Sequence, residues 1–321
     1  MAFFDVFNGD ADGIIALLQL RLAEPRDSVL VTGVKRDIQL LDRVEAGAGD
    51  EVTVLDISME KNQQGLRRLL AAGAKVRYVD HHRSGDIPES DNLRATIDLN
   101  PNTCTSVLVD KALRGKYRHW AITAAFGDNM LATAEKLAAK TQLTVHDIEQ
   151  LQEFGTLINY NGYGRSVDDL HFPPEDLYKA LLPYTNPLDA INDAGSPFDV
   201  LKGAYDYDMA QARAVQPELS DEVCALYLLP NAAWARRVSG SLGNALAYRA
   251  PDRAHAVLTL NEDMTYTVSV RAPIHNKQGA DVVCSGFATG GGRAAAAGIN
   301  ALPADKIEAL YRALSDYYRQ F

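Results

Sequence analysis

The strongest constraint on the fold is the alternation of apolar, strand-like runs with helical segments in the first third of the chain. The strand-like runs are FFDVF, SVLVTG, EVTVLDIS, AKVRYVD and ATIDLN, which are rich in β-branched and aromatic residues. Helical segments such as IIALLQLRLA and KNQQGLRRLLAAG lie between them, and DIQLLDRV is predicted as a further helix capped by Asp37. Strands that alternate with helices predict a parallel sheet covered on both faces.

The pattern changes toward the C-terminus. A mainly helical stretch covers about residues 131–216, and the strand-like runs EVCALYLLP, RAHAVLTLN and MTYTVSVRA follow it. We therefore predict an α/β protein with a parallel-sheet N-terminal domain (1–195). A helical linker (196–220) joins it to a smaller α/β C-terminal domain (221–321).

Composition narrows the classes of function. The net charge of -10 argues against sequence-independent binding of long nucleic acids, which requires broad basic faces. The three cysteines form no CxxC pair, as expected for a reducing compartment without a disulfide framework. With no signal-like or membrane-spanning segment in view, we expect a cytoplasmic protein that does not bind membranes.

Acidic and imidazole groups follow several of the predicted strands. Ligands bind beyond the carboxyl ends of parallel strands, so these groups are expected to share one cleft. Clustered carboxylates repel one another without cations, and oxygen with imidazole ligands suits Mn²⁺ or a similar divalent ion. The predicted cluster is Asp10, Asp12, Asp56, His81 and Asp128.

The run Asp80-His81-His82 ends the fourth strand. Residues two apart in an extended chain point the same way, so His81 is expected to face away from Asp80 and His82. One imidazole then faces a metal, and its neighbours orient it or meet a substrate. Each element alone has a simpler reading as a turn, a helix cap or a surface loop, but their order along successive strands favours a site.

These motifs resemble a known family. DADG, LDIS, VDHH and FGDN are similar to motifs one to four of the DHH phosphoesterase superfamily, and SGFATGGGRAAAAG (285–298) resembles the glycine-rich signature of the DHH-associated C-terminal domain. The resemblance implies two Mn²⁺ ions, with Mg²⁺ or Co²⁺ as alternatives. It implies that Asp10 and Asp12 each bind one ion, that Asp56 bridges both, and that His81 and Asp128 complete the second site. It also implies that Asp80 holds His81 and that His82 lies near the scissile phosphate.

The sequence departs from that family at two positions. Many relatives have a histidine four residues before the first aspartate, where this chain has Val6, which leaves Asn8 as an alternative ligand. Three glycines, Gly290, Gly291 and Gly292, are followed by Arg293 instead of histidine. Arginine offers a planar fork of donors suited to a terminal phosphate or a guanine edge, although a helix-capping role is the simpler alternative.

We expect Arg293 and its three glycines to bind substrate, with Arg271, Arg83 and Ser106 as further substrate-binding candidates. Other cations, among them Lys35, are further candidates to join this contact, with a solvated surface charge as the simpler alternative for each of them taken alone. The predicted function is an Mn-dependent phosphodiesterase that hydrolyses short nucleotides, with pGpG preferred, to mononucleotides. The alternatives are a 3'-phosphoadenosine phosphate phosphatase, a general oligoribonuclease, a pyrophosphatase and a non-catalytic nucleotide sensor, and the sequence leaves homodimerisation open.

Overall fold

A computed structural model describes residues 1–320 of the chain. It divides into two compact units, of which the first is Met1–Ala204 and the second begins at Tyr205. The boundary falls inside one helix, Pro197–Ala214, which lies within the segment 196–220 predicted as a helical linker.

The first unit is built on a sheet of five parallel strands, which confirms the predicted fold class. The strands are β1 (Phe3–Phe7), β2 (Val29–Val31), β3 (Glu51–Leu55), β4 (Lys75–Asp80) and β5 (Leu93–Ile97). Their order is β2-β1-β3-β4-β5, so the direction of winding reverses beside β1. Ligand sites in such sheets lie at the carboxyl ends of the strands on either side of this switch point.

Nine helices begin in the first unit. They are α1 (Ala11–Ala23), α2 (Gln63–Ala71), α3 (Thr105–Ala112), α4 (Arg118–Gly127), α5 (Leu131–Ala138), α6 (Val145–Asn161), α7 (Pro174–Leu181), α8 (Pro187–Ile191) and α9 (Pro197–Ala214). Helix α1 is buried along almost its whole length because α3, α4, α6 and α7 pack around it. Its apolar residues therefore run all round the helix instead of along one stripe.

Helix α1 is also held to β1 by charge. Arg21, near the end of the helix, donates through Nε to Asp5 Oδ2 over 2.7 Å, and both side chains are buried. A buried guanidinium and carboxylate satisfy each other only in a defined geometry. The start of α1 is consequently placed directly beyond the carboxyl end of β1.

The helix predicted for DIQLLDRV is wrong. Only a 3₁₀ turn forms there, at Leu40–Arg43. Side chains from distant residues form hydrogen bonds with backbone groups that would otherwise bond within a helix. Asn62 Oδ1 accepts from Leu41 N at 3.2 Å, and Arg68 donates to Leu41 O at 2.9 Å. The segment thus satisfies its backbone without a helix, and Leu40 and Leu41 still reach the core.

The second unit, described as far as residue 320, contains a mixed sheet of six strands in the order β10-β11-β9-β8-β7-β6. The strands are β6 (Leu219–Ser220), β7 (Cys224–Leu229), β8 (Ala254–Leu260), β9 (Thr265–Arg271), β10 (Gly290–Arg293) and β11 (Ala296–Pro303). In this range the sheet is accompanied by three helices, namely α10 (Ala233–Arg249), α11 (Ala280–Ser285) and α12 (Ile307–Tyr318). Of these six strands, only β7 and β8 pair in parallel. Across residues 1–320, no helix has the length and apolarity needed to cross a bilayer.

Candidate metal centre

The loop between β1 and α1 presents two carboxylates. Asp10 caps α1: its Oδ1 accepts from the amides of Asp12 at 3.0 Å and Gly13 at 3.1 Å. A Cβ on Gly13 would lie 2.3 Å from Asn8 O, so only glycine permits this tight approach of the loop to the helix. The turn brings Asp10 and Asp12 to the carboxyl end of β1.

Asp12 is held from the other side by helix α3. Its two carboxylate oxygens accept from Thr105 N and Ser106 N, each at 2.7 Å, and Ser106 Oγ donates to Asp12 O at 2.8 Å. The partial positive charge of a helix N-terminus stabilises a buried carboxylate. Ser106 was expected to contact substrate, but it is fully buried and both of its donors are used by Asp12, so this assignment is corrected.

Asp56 lies immediately after β3 with φ of 59°, in the left-handed region that few non-glycine residues adopt. Its amide donates to Val79 O at 3.1 Å, and its Oδ1 accepts from Thr105 Oγ1 at 3.2 Å. Backbone strain of this kind persists only where the surroundings enforce it, and it is common at functional sites. The strain turns the Asp56 side chain toward the groups that follow β1.

Three carboxylates converge on one imidazole nitrogen. His81 Nε2 lies 3.4 Å from Asp56 Oδ1, 3.8 Å from Asp12 Oδ2 and 4.0 Å from Asp128 Oδ2. Asp128 reaches this point because it is the C-cap residue of α4. The side chain of His81 is only 13% exposed, so the group is largely screened from solvent.

The donors around His81 form two overlapping groups of three, and each group fits a divalent ion. Ligand atoms at about 2–2.3 Å from a common ion lie roughly 3–4.5 Å from one another, and the three separations around His81 fall in this range. Three carboxylates with one imidazole are hard and borderline ligands of the kind that Mn²⁺ and Mg²⁺ accept. Asp12, His81 and Asp128 lie close enough to share an ion, as do Asp56, His81 and His82.

Asp80 contacts His82 and not His81. Its Oδ1 lies 2.8 Å from His82 Nδ1, whereas its Oδ2 is buried without a hydrogen-bond partner among the described residues. The side chains two residues apart along the strand therefore lie on one side, as strand alternation requires. The role of supporting His81, which the resemblance implied for Asp80, is corrected by this geometry.

The electrostatics show that the cluster is short of positive charge. Burial, followed by repulsion from Asp12 and Asp10, raises the pKa of Asp56 well above its ordinary value. The same causes raise the pKa of Asp128 to about 7. Burial would lower the pKa of His82, but its hydrogen bond to Asp80 outweighs that effect and raises it. A cation placed among these groups would favour the charged carboxylates.

Lys35 lies in this site, although a solvated surface charge was the simpler interpretation of its sequence context. Its Nζ lies 2.7 Å from Asp10 Oδ2 and 3.9 Å from Asp128 Oδ1, and its side chain is only 28% exposed. Burial would raise the pKa of Asp10, but the charge of Lys35 outweighs burial and lowers it. Burial would lower the pKa of Lys35, and the attraction of Asp10 instead raises it. No local pattern around VKRD indicated this long-range ion pair.

These groups line an open cleft of about 330 Å³ in the first unit. Arg83 lies on its wall, and its carbonyl accepts hydrogen bonds from Ser58 Oγ at 3.0 Å and Glu60 N at 3.2 Å. The Arg83 side chain is exposed, which leaves its guanidinium available to an anionic ligand. The cleft lies where the strand order reverses, beside Asp10 and Asp56.

Solved structures of known proteins share this architecture. One is a DHH domain from a protein described as a member of a family of ribosomal proteins (14% identity; 98% of this chain and 86% of that chain; TM-score 0.60). Another is the exonuclease RecJ bound to manganese, with 17% identity, coverage of 100% of this chain and 90% of that chain, and a TM-score of 0.59. A third is PggH of Vibrio cholerae, a pGpG-specific phosphodiesterase, with 14% identity, coverage of 100% of this chain and 99% of that chain, and a TM-score of 0.55.

The chain has the DHH-domain fold. No protein-family model matches the sequence. No curated protein matches it closely either. Because the identities lie below one fifth, what is shared with these structures is the arrangement of elements, and the four motifs lie at the strand and helix ends of this fold.

The second unit of this DHH-domain fold carries the remaining predicted residues. The glycine run forms β10, which pairs antiparallel with β11 in a hairpin where Arg293 faces Ala296. Arg293 is exposed, and the helix-capping alternative for it is wrong because it ends a strand and starts no helix. The glycines thus form a strand and do not lead into a helix N-terminus.

The three glycines have different surroundings. A Cβ on Gly290 would lie 1.8 Å from Cys284 O, and one on Gly292, where φ is +144°, would lie 2.5 Å from Ala297 Cα. A Cβ on Gly291 would meet nothing within 4 Å. Packing therefore explains Gly290 and Gly292, whereas the fold itself does not require glycine at 291.

Arg271 lies at the end of β9 and is held by the face of α10. Its Nε donates to Asn244 Oδ1 at 2.6 Å, and its Nη1 donates to Ser269 Oγ at 2.9 Å. Several of its donors are thus used within the second unit, which positions the guanidinium and leaves fewer donors for a ligand than sequence reasoning assumed.

Proposed function

We propose that this protein is a metal-dependent phosphodiesterase that hydrolyses short nucleotides to mononucleotides, with linear dinucleotides such as pGpG as preferred substrates. The observation that carries the proposal is the convergence of Asp12, Asp56 and Asp128 on His81 Nε2 within 3.4–4.0 Å. Such a cluster at the switch point of an α/β sheet combines the expected place for a ligand with the donors for a divalent ion.

The metal ligands in this proposal are Asp12, Asp56, His81 and Asp128. A divalent ion there would supply positive charge to a phosphoester and lower the pKa of water. Thr105 and Ser106 hold Asp12 in place through their amides, and Thr105 Oγ1 also supports Asp56. The ligands are therefore positioned by hydrogen bonds before any ion arrives.

His82 is the proposed substrate-contacting residue of the first unit. The acceptor Asp80 Oδ1 at 2.8 Å requires a proton on His82 Nδ1, which leaves Nε2 as the atom that faces the cleft. The raised pKa of His82 favours a charged imidazole, which can donate to a phosphate oxygen. Half of its side chain is exposed, so a ligand can reach it.

Several features support a short nucleotide. The cleft has room for a phosphate and the groups next to it, and a chain with net charge -10 does not attract long polyanions. The open space at Gly291 beside exposed Arg293 suits the close approach of a phosphate or base. The likeness in fold to a pGpG-specific phosphodiesterase agrees with this choice of substrate.

The test is a panel of substrates incubated with Mn²⁺ and resolved by product. The panel contains pGpG, longer oligoribonucleotides, 3'-phosphoadenosine phosphate and pyrophosphate. We expect GMP from pGpG at the highest rate and no turnover in excess chelator. Preferred release of phosphate from 3'-phosphoadenosine phosphate would favour the phosphatase alternative. Nucleotide binding without turnover in any metal would favour the sensor alternative and end the proposal.

A further inference from the structure

The acceptor atoms of Asp10 are already occupied within the protein. Its Oδ1 accepts from two backbone amides, those of Asp12 and Gly13, and its Oδ2 lies 2.7 Å from Lys35 Nζ. A carboxylate oxygen that accepts two amides has little capacity left for an ion. The remaining oxygen faces an ammonium group, which repels a second cation at close range.

Lys35 is held in this place by two separate segments, the loop after β1 and the C-terminal end of α6 with the residues that follow it. Its backbone amide donates to Gly162 O at 2.9 Å, and its carbonyl accepts from Asn8 Nδ2 at 3.2 Å. Its Nζ donates to Asn159 Oδ1 at 2.9 Å and lies 5.5 Å from the centre of the Tyr163 ring. The ammonium is thus positioned by the fold and is not a mobile surface charge.

The position four residues before Asp10, where many relatives have a histidine, carries no metal-binding group in this chain. Val6 is fully buried and packs in the apolar core of the sheet. Asn8, the alternative ligand, uses both ends of its side chain on the backbone, since its Oδ1 accepts from Asp10 N at 3.2 Å and its Nδ2 donates to Lys35 O. The residues present therefore fit one ion beside His81 and do not fit a second ion beside Asp10.

We propose that this cleft binds a single divalent ion, at Asp12, Asp56, His81 and Asp128, and that the ammonium of Lys35 takes the place of a second ion at Asp10. The inference rests on the proposed function, because it concerns the same site. It replaces an exchangeable ion by a covalently attached charge, so activation by metal requires one binding event instead of two.

The experiment measures how many Mn²⁺ ions the full chain binds, by equilibrium dialysis at millimolar Mn²⁺ with metal analysis, and by electron paramagnetic resonance. We expect one ion per chain and the spectrum of isolated Mn²⁺. Two ions per chain with a spin-coupled spectrum would overturn the single-ion inference and leave the proposed phosphodiesterase intact. No bound Mn²⁺ at all would remove both the inference and the proposed function.

Variants test whether Lys35 is the cause. Lys35→Met removes the ammonium and frees one oxygen of Asp10, so a second ion should bind weakly, at high Mn²⁺ concentration only. Lys35→Glu also adds a potential ligand, so the number of bound ions should rise from one to two. Lys179→Met is the matched control, because Lys179 is an exposed lysine paired with Glu175, and it should keep one ion. If both Lys35 variants fold and still bind one ion, Lys35 does not exclude the second, and the inference is overturned.

Discussion

Replacement of Arg293 by alanine tests whether this residue contacts the substrate without taking part in metal binding. Arg293 is exposed at the end of β10, and among the described residues its guanidinium makes no hydrogen bond or ion pair. The backbone beside it is fixed, because Ala294 O accepts from Ala280 N at 3.0 Å and Ala295 O accepts from Ala272 N at 3.1 Å. The side chain is therefore presented on a rigid hairpin without a structural task.

The structure sets the expected magnitudes. Loss of an exposed side chain without partners should change the free energy of unfolding by no more than about 0.5 kcal/mol. Loss of one charge-assisted, bidentate contact to a phosphate or guanine should cost about 1.5–3 kcal/mol in substrate binding. That range corresponds to a decrease in kcat/KM for pGpG of roughly tenfold to a hundredfold or more.

The assay compares two substrates, pGpG and a small chromogenic phosphodiester that has no second nucleotide to hold. For Arg293→Ala, the ratio of kcat/KM for pGpG to that for the chromogenic ester should fall, while Mn²⁺ stoichiometry stays at the wild-type value. Arg249→Ala is the matched control, since Arg249 is an exposed arginine in the last turn of α10 of the same unit, and its ratio should not change.

An unchanged ratio in folded Arg293→Ala would show that Arg293 does not read the substrate. Equal losses on both substrates would point to an effect on the metal centre and would also contradict the reasoning. Arg293→Lys separates charge from shape: a planar bidentate contact is lost in lysine, whereas a simple charge contact is largely kept.

Three further outcomes are expected. Asp56→Asn keeps a residue that tolerates positive φ but removes a metal ligand. Turnover should therefore fall by several orders of magnitude, while the circular dichroism spectrum stays that of the wild type. Near wild-type rates would refute the assignment. Gly291→Ala should leave the melting temperature unchanged and lower kcat/KM for pGpG. Gly290→Ala should lower the melting temperature, because its Cβ would lie 1.8 Å from Cys284 O. The reverse pattern would contradict the packing argument. Burial lowers the pKa of His255 to about 4, so the folded state binds fewer protons than the unfolded state. The free energy of unfolding should therefore fall by up to about 3 kcal/mol as the pH drops from about 6.5 to 4. A His255→Gln protein with the same pH dependence of chemical denaturation would refute this.

Local sequence was sufficient for the five strands of the first unit and for the order of the acidic groups, but not for the segment DIQLLDRV. Apolar runs rich in β-branched and aromatic residues predicted the strands, and carboxyl ends of parallel strands share one edge, so Asp56 and His81 could be placed together without coordinates. Strand alternation also placed Asp80 and His82 on one side, in agreement with their distance of 2.8 Å. These predictions succeeded because they depend only on the backbone geometry of a few consecutive residues.

The sequence alone determined the class of fold, the strand ends that carry carboxylates and the apolar helix α1 that packs behind them. Tertiary structure decided the partners: Lys35 pairs with Asp10, Ser106 serves Asp12, and the glycine run becomes a hairpin strand. The Lys35 and Ser106 contacts join groups from separate segments of the chain, and no local periodicity encodes which distant donor will be nearest. Packing brings those segments together, and the cost of burying an unpaired charge or amide then selects the partner.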